Sequence, residues 1–167
     1  MSALPDGPGP GSGARDFDFF IGDWSVQHRR LRRRLDGCTD WDMFDGRSTA
    51  RALLGGMGNI DDNILNLPAG SYRAVTLRTY DPAADQWNIW WLDGRNPGML
   101  DTPMRGRFCN GCGEFFAHDV FNGRPILVRF LWSDMTATTC RWEQAFSVDN
   151  GQTWEVNWVM HFTRLPD

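Results

Sequence analysis

From Gly22 onward, apolar and polar residues alternate with a period near two, and turn residues interrupt the alternation at short intervals. Successive side chains of a strand point to opposite faces, so this period predicts strands with one buried face. The pattern places them over residues 23–35, 42–54, 72–80, 86–92, 104–109, 114–121, 126–133, 140–148 and 153–164. Between them stand Asp36-Gly37, Gly55-Gly56, Asp81-Pro82, Asn96-Pro97-Gly98, Asn110-Gly111, Asn122-Gly123 and Asn150-Gly151. Such pairs supply the positive φ or fixed φ that tight turns need. The expected fold is all-β, a sandwich or an antiparallel closed barrel of about eight to ten short strands. Residues 59–67 alone read as weakly helical, and Asn59, Asp61 and Asp62 read as a rim loop behind Gly55-Gly56-Met57-Gly58. Residues 16–21 (DFDFFI) predict a short helical plug at one end of the fold. Residues 1–15, rich in Gly, Pro and Ser, predict a disordered tail, which leaves 16–167 as a single domain.

The string Ser147-Val148-Asp149-Asn150-Gly151-Gln152-Thr153-Trp154 resembles the Asp-box, a β-hairpin motif. Asp149 would accept bonds from turn N–H groups, Gly151 would take positive φ, and Trp154 would fold back over the loop. Sialidase propellers carry several such boxes; one copy without an internal repeat makes it a folding device here. A three-residue loop over Asp149-Asn150-Gly151 pairs Phe146 with Trp154, Gln144 with Val156 and Trp142 with Trp158. The other face then pairs Ala145 with Glu155, Glu143 with Asn157 and Arg141 with Val159. One face is an aromatic ladder broken by a single amide, and the other is largely polar. On the first strand, Trp24, Val26, His28, Arg30, Arg32 and Arg34 share a face, with Trp24 to Arg30 pointing inward before the strand leaves the barrel.

Composition narrows the chemistry. A net charge of −4 argues against a general nucleic-acid binder. Nine Trp and eleven Phe exceed what one ordinary core requires. All seventeen basic residues are Arg, which removes Schiff-base chemistry and any lysine base. Positive charge in a cavity must then come from guanidinium groups, which suit carboxylates, phosphates and enolates. With no apolar secretory segment and no membrane-length apolar run, a cytoplasmic protein with reduced Cys is expected.

Phe19-Phe20-Ile21-Gly22-Asp23-Trp24 resembles the opening of a bacterial family of calycin-like proteins, the domain-of-unknown-function family 1579. Thr76-Leu77-Arg78 with Tyr80-Asp81-Pro82, and Gly123-Arg124-Pro125-Ile126 with Val128-Arg129-Phe130, are similar to it too. So is the closing stretch from Trp142-Glu143-Gln144 through Trp154-Glu155-Val156-Asn157-Trp158 to Phe162-Thr163-Arg164. The resemblance spans residues 16–164 and implies a lipocalin-like barrel with a central cavity, but no particular activity.

Candidate chemistry is sparse. Cys109 and Cys112 have zinc-knuckle spacing, yet a structural zinc needs two further ligands, and an Asn-Gly hairpin explains the pair, so no metal or cofactor is expected. His161 resembles in position the haem-binding His of nitrobindin-type barrels, but the register puts it on the polar face. His28 is the acid/base candidate. Arg129, Glu143 and Asn157 should share a face as a charged network. The leading reading is a barrel that binds a small, flat, partly anionic metabolite. Trp24, Trp91, Trp132, Trp142 and Trp158 would supply stacking surface, Arg30 and Arg78 a carboxylate contact, and Gln144 an orienting hydrogen bond. The alternative is a cofactor-free isomerase, cyclase or lyase using His28 in the same cavity. Outer aromatics such as Trp90 leave a homodimer open.

Overall fold

The computed structural model describes residues 13–167. Ten antiparallel strands run up and down, each bonded to the next, and the first pairs with the last to close a barrel. They are β1 (Gly22–Leu31), β2 (Trp41–Leu53), β3 (Gly58–Leu67), β4 (Gly70–Asp81) and β5 (Gln86–Asp93). The second half comprises β6 (Met104–Cys109), β7 (Cys112–Phe121), β8 (Arg124–Ser133), β9 (Thr139–Ser147) and β10 (Glu155–Arg164). The expected all-β closed barrel is therefore present, and strand β6 has the expected bounds. Asn110-Gly111 and Asn122-Gly123 adopt paired positive φ, the conformation of a two-residue turn whose twist matches the flanking strands. Cys109 and Cys112 pair across the first of these turns.

Three expectations are corrected. Residues 59–67 are neither helix nor rim loop but lie in β3, paired along its length with β2 and β4. Its pattern is inverted: polar Asn59, Asp61 and Asn63 are buried inside, while Ile60 and Ile64 lie half-buried on the outer face. Gly13–Arg15, expected within the tail, forms a 3-10 turn with Ala14 buried; residues 1–12 of the expected tail lie outside those described. Finally, β1 stops at Leu31 rather than at residue 35: Arg32 N–H donates to the Asp40 carbonyl at 3.0 Å, and Leu35 adopts φ 61°.

The β9–β10 register also differs from the expected one. Ser147 Oγ donates to Asp149 Oδ1 at 2.7 Å and accepts from Gly151 N–H at 2.8 Å. Asp149 accepts from Thr153 N–H at 2.8 Å and Thr153 Oγ1 at 2.5 Å. These bonds hold a loop longer than three residues, so Phe146 pairs with Glu155 and Ala145 with Val156. A bulge follows, after which Gln144 pairs with Trp158 and Trp142 with Met160. The longer loop flips the facing parity and the bulge flips it back. Trp142, Gln144, Phe146 and Trp158 consequently all line the interior. Asn157, the bulged residue, is fully buried and accepts from Gln144 Nε2 at 2.9 Å, leaving Glu143 to pair with Arg129 and Arg141 alone.

One end of the barrel is stoppered by the chain that precedes β1, where Asp18–Phe20 forms a second 3-10 turn. Phe17 meets Trp87 and Phe108 edge-on, each at 4.9 Å, and Phe20 meets Trp132 at 4.9 Å and Phe162 at 5.2 Å. The plug's carbonyls are satisfied from the barrel: Trp24 Nε1 donates to Phe20 at 2.8 Å, and Arg164 donates to Ile21 at 2.6 Å and Phe19 at 2.5 Å. Opposite the plug the barrel is open.

Gly106 on β6 sits where a Cβ would overlap the Glu114 carbonyl of β7, whereas nothing lies near a Cβ at Gly98. Gly106→Ala should therefore cost about 2 kcal/mol or more, and Gly98→Ala next to nothing, in urea unfolding midpoints.

Candidate functional site

A cavity of about 260 Å³ occupies the barrel between the plug and the open end. Its aromatic wall comes from β5, β8, β9 and β10, which alternate inward Trp91, Phe130, Trp132, Trp142 and Trp158 with outward residues. Trp158 meets Trp142 at 5.4 Å and 89°, and Trp91 at 5.9 Å and 87°, so three indoles stand edge to face around one space. This geometry matches the ring quadrupoles and fixes each indole without filling the centre.

The facing wall is polar, and its centre is a buried ion pair. Arg78 on β4 donates through Nη1 to Asp61 Oδ1 at 2.5 Å and to Asn59 Oδ1 at 2.9 Å, with Arg78 4% and Asp61 2% exposed. The second Asp61 oxygen accepts from Asn63 Nδ2 at 2.6 Å, Ser48 Oγ at 3.2 Å and Thr76 Oγ1 at 3.4 Å. A carboxylate so supplied with donors tolerates removal from water. The guanidinium carbon of Arg78 also lies 5.1–5.6 Å from the rings of Phe20, Phe17 and Trp132, at the junction of cavity and plug.

The open end carries charges of both signs. Arg30 reaches the cavity from β1, 5.1 Å over the Trp158 ring, and donates to Tyr72 Oη at 3.3 Å. Arg34 comes to the same place because the chain bends after Leu31, and lies 5.7 Å over the Phe146 ring. Burial, then the neighbouring charge of Arg30, lowers the Arg34 guanidinium to about 10. Among the described residues neither arginine has a carboxylate within ion-pair distance. Arg95, by contrast, is paired with Asp93 at 2.7 Å and stacked 3.7 Å from Tyr72. Asp101 and Asp119 also line the mouth; burial, then Asp119 and Asp93, raise the Asp101 carboxyl.

Of the residues singled out in the sequence, Arg30, Arg78, Trp91, Trp132, Trp142, Gln144 and Trp158 line this cavity. Trp24 and His28 do not. Trp24 points inward but is sealed in the floor, stacked on Phe20 at 5.6 Å with the Arg164 guanidinium 4.2 Å from its ring. His28 stands behind Trp158: its Nδ1 accepts from Trp158 Nε1 at 3.1 Å, its ring stacks on Phe44 at 4.6 Å, and Nε2 faces Gly46. Burial, then Arg30, lowers its pKa from 6.5 to about 3. His161 is exposed on the outer surface. Sequence reasoning missed Arg34, Asp61 and Asn63 as cavity residues. Arg34 had been placed on the same face as Arg30, but on a strand expected to leave the barrel.

Removing one partner of the buried pair strands the other. Asp61→Ala should cost about 3–5 kcal/mol in chemical denaturation. His28 sets a pH dependence. Between pH 6.5 and about 3 the unfolded state holds a proton on this imidazole that the folded state does not, so stability falls as pH drops through that window. The slope is about 1.4 kcal/mol per pH unit at most, and His28→Gln, which keeps an acceptor for Trp158, should flatten it in urea titrations.

No protein-family model and no curated protein matches this chain. Among solved structures, the S-type phycobiliprotein lyase CPES from Guillardia theta superposes with a TM-score of 0.58 at 8% identity, covering 95% of both chains. The structure of EF1p2_mFAP2b bound to DFHBI superposes with a TM-score of 0.50 at 10% identity, covering 92% of this chain and 100% of that one. At these identities the likeness is one of fold: the chain is built as a calycin-like barrel.

Proposed function

We propose that the barrel binds a small, flat, partly anionic molecule, its ring system against Trp91, Trp142 and Trp158 and its anionic group at Arg30 and Arg34. The supporting observation is an aromatic cavity whose mouth holds two guanidinium groups with no ion-paired carboxylate among the described residues. Guanidinium groups left near one another in a part-buried site favour an anion that bridges them. The cavity volume of about 260 Å³ lies at the small end of ligand pockets, and suits one or two fused rings. One of the two similar barrels is described as bound to DFHBI and the other as a lyase of phycobiliproteins, which accords with a ligand-holding interior. The resemblance to family 1579 read in the sequence belongs to the same proposal and adds no substrate.

In this reading Arg78, expected as a carboxylate contact, is held by Asp61 and Asn59, and Arg34 takes its place. Trp24 serves the floor and His28 positions Trp158. Turnover through His28 is disfavoured, because one of its nitrogens is engaged by Trp158 and the other faces backbone at Gly46.

Titration with 2-naphthoate, followed by tryptophan fluorescence and calorimetry, tests the proposal. One molecule should bind per barrel, and more tightly than neutral naphthalene. Arg30→Gln and Arg34→Gln should each weaken 2-naphthoate roughly ten- to a hundredfold, as expected for a charged hydrogen bond, while leaving naphthalene unchanged. Equal affinity of the two probes for the native protein would sink the anionic reading.

A further inference from the structure

The wall at the deep end of the cavity, next to the plug, buries two N–H groups that have no hydrogen-bond partner among the described residues. Trp132 is 2% exposed and Arg78 4% exposed, both line the cavity, and Trp132 Nε1 and Arg78 Nε find no acceptor among the described residues. Buried donors are almost always paired, and each one left unpaired is costly. The nearby carboxylate cannot serve them: Asp61 already receives Arg78 Nη1 on one oxygen and Ser48, Asn63 and Thr76 on the other. The two donors are also neighbours, the guanidinium carbon lying 5.6 Å from the Trp132 ring centroid. An acceptor oxygen brought in through the cavity would satisfy these donors.

We infer that this pair of donors receives an acceptor oxygen of the bound molecule, a ring carbonyl, acyl carbonyl or phenolate. The inference rests on the binding reading above and specifies the ligand class. It is a flat aromatic acid with its carboxylate at Arg30 and Arg34 and a second oxygen at the opposite end. The distance between the two ends is set by the strands. Trp132 stacks on Phe162 at 5.5 Å, whereas Arg30 pairs with Trp158, four residues earlier on β10. At about 3.3 Å per residue, shortened by strand tilt, the ends are about 10 Å apart. An elongated two-ring acid spans that length; a compact one-ring acid reaches only one end. The inner wall thus selects by length and polarity together.

Three probes separate the claims: 6-acetyl-2-naphthoate, 6-ethyl-2-naphthoate and neutral 2-acetylnaphthalene. The acetyl and ethyl acids differ in one carbonyl, and the ethyl compound is the more hydrophobic, so burial alone would favour it. The acetyl acid is expected to bind the native protein at least about tenfold more tightly than the ethyl acid. Trp132→Phe removes the donor and leaves a smaller aromatic ring; compared within that variant, the ratio of the two acids' affinities should fall to near one. In the native protein the Trp132 indole N–H resonance should move downfield with the acetyl acid and not with the ethyl acid. This readout does not depend on the variant folding. Equal affinities for the two acids, or an unmoved Trp132 resonance, would overturn the inference while leaving the anionic cavity standing. If neither acid binds, both claims fail together.

Discussion

Ten antiparallel strands closed on themselves enclose a wider interior than wall side chains alone can fill, because barrel diameter grows with strand number. Every other feature of the structure answers to that width. At one end the chain before β1 turns inward and fills the barrel with Phe17 and Phe20, its carbonyls tied by Trp24 and Arg164. At the other end no such segment exists among the described residues, and the indoles of Trp91, Trp142 and Trp158 stand edge to face with space between them. The cavity is what remains when a wide barrel is stoppered from one side only.

That interior treats its arginines in two ways, and the contrast defines the site. Arg78 is bound by Asp61 and Asn59 and flanked by three aromatic rings, its charge paired within the barrel wall. Arg30 and Arg34 rest against Trp158 and Phe146 with no carboxylate at ion-pair distance among the described residues, and Arg30 repels Arg34. Rings hold these two side chains in place without neutralising them.

Much of the fold could be read from the alternation of side chains because most strands bury an apolar face, and Asn-Gly pairs mark the hairpins. Strand β3 escaped for a physical reason: the inward residues before Leu65 are Asn59, Asp61 and Asn63, so hydrophobicity pointed the wrong way. The aromatic wall was legible from single-strand parity at Trp132, Trp142 and Trp158. The β9–β10 register was not, because Ser147 and Asp149 hold a longer loop and a bulge at Asn157 absorbs the difference. Side-chain direction alone also failed to separate lining from scaffolding. Trp24 and His28 point inward as read, yet one is roofed by Phe20 and the other stands behind Trp158. Nor could parity foresee that a bend after Leu31 would return Arg34 to the mouth.

The pairing of β1 with β10 has a bearing on how the molecule is made. During vectorial synthesis the earliest strand waits with an unpaired edge until the latest has left the ribosome. The plug waits too, since Arg164 carries the guanidinium that anchors it. Closure is therefore a late, highly non-local event of the kind that slows β proteins and leaves edges vulnerable to intermolecular pairing. The arginines spread along β1 and its extension place charge on that waiting edge, a safeguard against aggregation before the ring is sealed.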